Sequence, residues 1–156
     1  TPTCDPRPRP TPDPRFAMTP LRAHELATFL RRFRLTGGRV RGVRVRYTSE
    51  RETAVEFRLV VREAIQDLGT EPRTVQLRLR VVGVDEFRMQ MRPGQPRVKV
   101  ADARISHING LFWVNFDDLG LDTTEQPRPH DFRASETYAA GRELLWEEVR
   151  PGERPA

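Results

Sequence analysis

The sequence predicts an α+β fold that is mainly β: an N-terminal helix packed on an antiparallel sheet of about six strands, curled into a sandwich-like core. Three observations carry this expectation. One segment near the N-terminus repeats its apolar residues at helical spacing. From position 39 onward apolar and polar residues alternate, the period of a strand with one dry face. Asn109-Gly110 then separates two such runs by two residues, the length and composition of a type I′ hairpin turn.

Thr19-Pro20 reads as a helix start, a hydroxyl cap followed by proline at the first helical position. Leu26, Phe29, Leu30 and Phe33 form one apolar stripe, and Gly37-Gly38 is the expected stop, giving a helix over 20–33. Val43, Val45 and Tyr47 alternate with Arg44 and Arg46 in a strand over 39–48, and Gly42, between the out-of-phase Val40 and Val43, marks a bulge. Val55, Phe57, Leu59 and Val61 make a second strand; Val75, Leu77, Leu79 and Val81 make a third. At Gly83 the third strand either bends or turns into a new one carrying Phe87, Met89 and Met91, and residues 92–97 are a loop.

The hairpin fixes its own register. Ile108 faces Leu111, His107 faces Phe112, Ser106 faces Trp113 and Ile105 faces Val114. One face carries Ile105, His107, Phe112, Val114 and Phe116 and is the expected core face; the other carries Ser106, Ile108, Leu111 and Trp113. Residues 117–133 are loop, a helical turn is expected near 134–140, and 142–149 form a last, acidic strand.

Residues 18–150 are taken as one mainly-β domain, with a tail over 151–156 that frays. Residues 1–17 hold six prolines, which fix φ and remove ladder donors, so this segment is expected to be disordered. It is either a proline-rich ligand or sequence upstream of a true start at Met18. It contains the only cysteine, Cys4, which excludes an internal disulfide framework and a cysteine-built zinc site. A cysteine-free domain fits a cytoplasmic location, and no apolar run approaches the roughly 18 residues that span a bilayer.

The net charge is +5, and 26 of the 27 basic residues are arginine. A GC-rich genome accounts for that bias as readily as phosphate binding does. Residues 18–104 carry eighteen arginines and Lys99 against ten acids, whereas residues 105–156 carry five arginines against ten acids. Strands from the two halves, if adjacent, would neutralise each other.

No nucleotide, metal or nucleophile motif is present. The histidines, His24, His107 and His130, lack metal spacing, and His130-Asp131 is a lone pair; His107 reads as hydrogen-bonded packing on the core face. No catalytic residue, cofactor or metal is therefore assigned. Two binding surfaces remain. Ile108, Leu111 and Trp113 converge at the hairpin tip, where they are either covered by the helix or by the last strand with its Trp146, or form an exposed patch that docks another protein. Arg44, Arg46, Arg58, Arg78 and Arg80 lie on one side of three consecutive strands and could bind nucleic acid or another anion. No aromatic interleaves with them as a base-stacking platform requires.

Several phrases carry a resemblance: Phe33-Arg34-Leu35, Leu77-Arg78-Leu79-Arg80, the run Gly83 to Arg88, Asn109-Gly110-Leu111-Phe112, and Asp131-Phe132-Arg133-Ala134-Ser135. Together they resemble small bacterial β-rich proteins and, more distantly, the β-sheet immunity proteins of polymorphic toxin systems. The resemblance implies a non-catalytic, protein-binding role, immunity-like or regulatory. Thr36-Gly37-Gly38 stands where the immunity type places a His-Asp pair, so no functional residue carries over.

Overall fold

The computed structural model describes residues 18–64, 69, 71–90, 98–117, 119–122 and 124–150. The Pro-rich segment, the 92–97 loop and the tail from 151 lie outside them. The architecture is the expected one, a mainly-β antiparallel sheet with a short helix near the N-terminus. The elements are β1 (Thr19–Pro20), a 3-10 turn (Ala23–Glu25) running into α1 (Leu26–Arg32), β2 (Phe33–Ser49), β3 (Glu52–Glu63), β4 (Thr74–Met89), β5 (Val98–Lys99), β6 (Arg104–Ile108), β7 (Leu111–Asn115), α2 (Pro129–Arg133) and β8 (Thr137–Val149). The order across the sheet is β5-β2-β3-β4-β8-β7-β6, with β1 also paired to β8.

The sheet curls. Phe57 on β3 and Phe116 after β7 stand far apart in strand order, yet their ring centroids are 4.7 Å apart. Ala101, just past β5, donates its N–H to the Phe116 carbonyl at 3.2 Å. Inside the curl lies the main core, with Val55, Phe57, Leu59, Leu77, Leu79, Val81, Val114 and Leu144 all essentially without solvent contact. The predicted dry faces of the second and third strands are therefore dry. Val45 and Tyr47 on the first strand are not: they are 43% and 83% exposed, on the stretch of β2 beyond its short pairing with β5 at Arg39 and Val40.

The helix is shorter than the expected 20–33. Thr19 and Pro20 do not cap it; they pair with Trp146 and Leu145. The cap lies three residues later, where Arg22 N–H donates to Glu25 Oε2 at 2.9 Å. Nor do Gly37 and Gly38 stop it. The helix passes directly into β2 at Phe33, whose ring packs with Phe29 and Trp146. The two glycines instead shape a wide bulge, in which Leu35–Gly38 on β2 oppose a single residue of β3. Gly37 sits at φ 85, and a Cβ on Gly38 would lie 2.6 Å from the Val60 carbonyl oxygen. The bulge predicted at Gly42 is present as well, with Arg41 the extra residue between the pairs Val40–Leu59 and Gly42–Arg58.

β4 continues through Gly83 without a turn, with Asp85 as a bulged residue. The hairpin register agrees at each of the four predicted pairs, and Asn109 (φ 53) and Gly110 (φ 77) occupy the left-handed turn positions. The helical turn expected near 134–140 is absent. Residues 137–140 are the start of β8, held between β4 and β7, where Ala139 and Ala140 are completely buried. Small residues suit a strand covered on both faces, and this overrides alanine's helical preference. The helix nearby is α2, opened by Pro129 and capped by Asp131, which accepts from the Arg128 N–H at 2.7 Å.

Candidate functional site

The predicted arginine face exists in outline. β2, β3 and β4 are neighbours, and their register aligns Arg44, Glu56 and Arg80 in one row and Gly42, Arg58, Arg78 and Glu147 in the next. The face is largely self-paired. Glu56, only 3% exposed, accepts from Arg80 at 2.7 and 3.1 Å and lies 3.7 Å from Arg78. Arg78 donates to Glu147 on the acidic last strand. Burial alone would push the Glu56 carboxyl up, but the Arg80 hydrogen bond and the charges of Arg80, Arg78 and Arg46 outweigh it, so its pKa falls below the ordinary value. The same complementarity recurs at the sheet margins: Arg73 bridges Glu63 (2.7 Å) and Glu148 (2.9 Å), and Arg133 pairs with Glu86 at 2.8 Å.

The hairpin-tip set is split. Trp113 is buried, 2% exposed, in a second small core with Phe132, Tyr138 and Ala140. It is covered by α2 and the start of β8, not by α1 or Trp146. Arg133 lies over its ring at 5.3 Å. Ile108 and Leu111 are half-buried against this core. A polar cluster ties its base together: Asp117 accepts from the Ser135 hydroxyl and from the Glu136 and Thr137 N–H groups, the latter at 2.9 and 3.3 Å. Asn115 accepts from the Arg104 N–H at 2.9 Å.

Ile108 also lines an open cleft of about 1140 Å³. One wall is α1, through Leu26, Ala27 and Leu30; the other is the loop before and into α2, from Glu125 to Asp131; between them lies β6. As the last strand of the sheet, β6 pairs only with β7 among the described residues. Antiparallel residues alternate in the direction of their backbone groups. Arg104 points its N–H toward β7, so Ser106 and Ile108 do too, and the N–H and C=O groups of Ile105 and His107 face outward. Among the described residues no backbone hydrogen bond outside the hairpin ladder reaches either. The edge is regular and carries no proline, lysine or bulge, the usual devices that blunt one.

His107 does not make the hydrogen-bonded core contact expected of it; its side chain is exposed and rests on the Phe112 ring, centroids 4.6 Å apart. His130, also on the cleft, turns Nε2 onto its neighbour Asp131 at 3.2 Å. Ser106 lines the cleft as well, and among the described residues no hydrogen bond joins it to either histidine. No group of three histidine or acidic side chains among the described residues is placed to hold a metal ion.

Sequence reasoning found the hairpin and missed its outer edge. The signal was available: the Asn-Gly turn fixes which amides point inward, hence also which point out. The fold is a curled antiparallel sheet whose β6 edge lies in a cleft. No family model matches the chain, and no curated protein or solved structure matches it. No helix among the described residues is long and apolar enough to cross a membrane.

Proposed function

We propose that this chain is a non-catalytic protein-binding domain that takes an extended segment of another polypeptide as an added strand along β6. The observation that carries this reading is the pair of outward-facing backbone groups on Ile105 and His107, lying between two walls of a cleft. Main-chain hydrogen bonds would supply affinity, and the walls would supply selectivity. Alternate side chains of an added strand point to opposite walls. One set would meet Leu26, Ala27 and Leu30; the other would meet the loop with Pro127, Arg128 and Asp131. The favoured partner therefore alternates apolar and polar residues. A second copy of the chain fits poorly, because its own β6 would arrive flanked by its own α1 and loop. We propose that this binding serves an immunity-like or regulatory role in the cytoplasm. A broad nucleic-acid face is the weaker reading, since Glu56 and Glu147 neutralise the rows on which it would depend.

Affinity selection on the full chain with displayed random peptides of about nine residues, enough to span the edge, tests the proposal. Selected peptides are expected to alternate in polarity and to lose at least about tenfold in affinity toward His107→Pro, which removes one outward donor and leaves the β7 ladder intact. Failure to select any peptide, or selected peptides that bind His107→Pro as tightly as the parent, would contradict it.

A further inference from the structure

On the outer face of the sheet, one pocket is left unfilled by the arginine–glutamate pairing. It measures about 230 Å³, lies between β2, β3 and β4, and is lined by Arg41, Arg58, Gln76 and Arg78 over a floor that includes Val60 and Leu77. The β2 bulge builds it. Arg41 is the extra residue there, and Gly42, next in the chain, stands opposite Arg58. A Cβ on Gly42 would lie 3.0 Å from Arg58 Nη2 and 3.2 Å from Nε, so the guanidinium rests against bare backbone in a space that any larger residue would occupy.

Arg58 differs from Arg78 and Arg80 in its partners. In its row it stands between Gly42 and Arg78, and Arg78 has turned away to Glu147. Among the described residues neither Arg58 nor Arg41 makes a hydrogen bond or ion pair through its side chain. Arg58 is half-buried and Arg41 exposed beside it, and among the described residues neither has a counter-charge of its own, unlike Arg78 with Glu147. Guanidinium forks converging from different strands, beside a carboxamide, suit an oxyanion that accepts from several directions.

We propose that this pocket binds a small tetrahedral oxyanion of the phosphate class, held by Arg58 and Arg41 with Arg78 at its margin. It is separate from the β6 cleft, and either assignment stands or falls without the other.

The test is a titration of the full chain with inorganic phosphate at low ionic strength, followed through the NMR signals of the arginine Nε–H groups. The Arg58 and Arg41 signals are expected to shift saturably. Arg58→Gln is expected to weaken binding at least about tenfold, the loss of one charge-assisted fork. Gly42→Ala removes no charge but displaces the Arg58 guanidinium, and is expected to weaken binding as well. Arg51→Gln, which removes a charge at the exposed β2–β3 turn, is expected to leave it unchanged. If Arg58→Gln does not fold, the wild-type shifts and Gly42→Ala decide. Absence of saturable shifts, equal loss in Arg51→Gln and Arg58→Gln, or acetate binding as tightly as phosphate would overturn the assignment.

Discussion

Replacing Glu56 by glutamine tests whether the charged face is a structural network. The side chain keeps its shape and one acceptor but loses its charge. Glu56 is 3% exposed, and its partners Arg78 and Arg80 are 15% and 22% exposed. Removing one member of a fully buried ion pair costs about 3–5 kcal/mol. Both arginines keep some water and Arg78 keeps Glu147, so the expected loss is smaller, about 2–3 kcal/mol. At about 3 °C per kcal/mol for a domain of this size, Tm falls by roughly 6–9 °C at neutral pH. The pH dependence has a definite sign. The folded Glu56 pKa is depressed, so its stabilisation is complete above the ordinary glutamate range and is lost as pH falls through the folded value. Thermal unfolding of both proteins from neutral to acidic pH should therefore show the gap closing in acid. A Glu56→Gln protein as stable as the parent at pH 7, or a gap that does not change with pH, would refute this reasoning.

Trp113→Ala should destabilise the fold by about 3–5 kcal/mol in chemical denaturation, the cost of emptying a buried aromatic site. A change below about 1 kcal/mol would mean that the indole is not packed under α2. Gly110→Ala forces a Cβ into φ 77 at the hairpin turn and should cost about 1 kcal/mol by the same assay, with β6 and β7 cross-peaks the first to broaden in NMR spectra.

The β architecture could be read in the sequence wherever one face of a strand is dry and the other wet. That holds for most of β3 and for β4, whereas the hairpin, whose β7 is buried on both faces, was legible through its Asn-Gly turn, which set register as well as position. It failed where both faces are buried. At 137–140 the alternation vanishes, and Ala139 and Ala140 looked helical. It also failed at Thr19-Pro20 and Gly37-Gly38, whose local chemistry suits a helix boundary but whose partners, β8 and the segment at Val100, come from far along the chain. Charge was legible as a sum and as an asymmetry between halves. That β4 and β8 are adjacent, and so cancel much of it, is a matter of strand order, which periodicity does not encode. The cleft was invisible for the same reason, because α1, β6 and the α2 loop meet only in three dimensions.

Amide hydrogen exchange on the free chain, resolved by residue across β6, probes the open edge directly. The outward amides of Ile105 and His107 should exchange rapidly while those of Ser106 and Ile108 stay protected, and a bound peptide should slow the first pair. Four equally protected amides in the free chain would mean that the edge is already covered and that β6 offers no place for a partner.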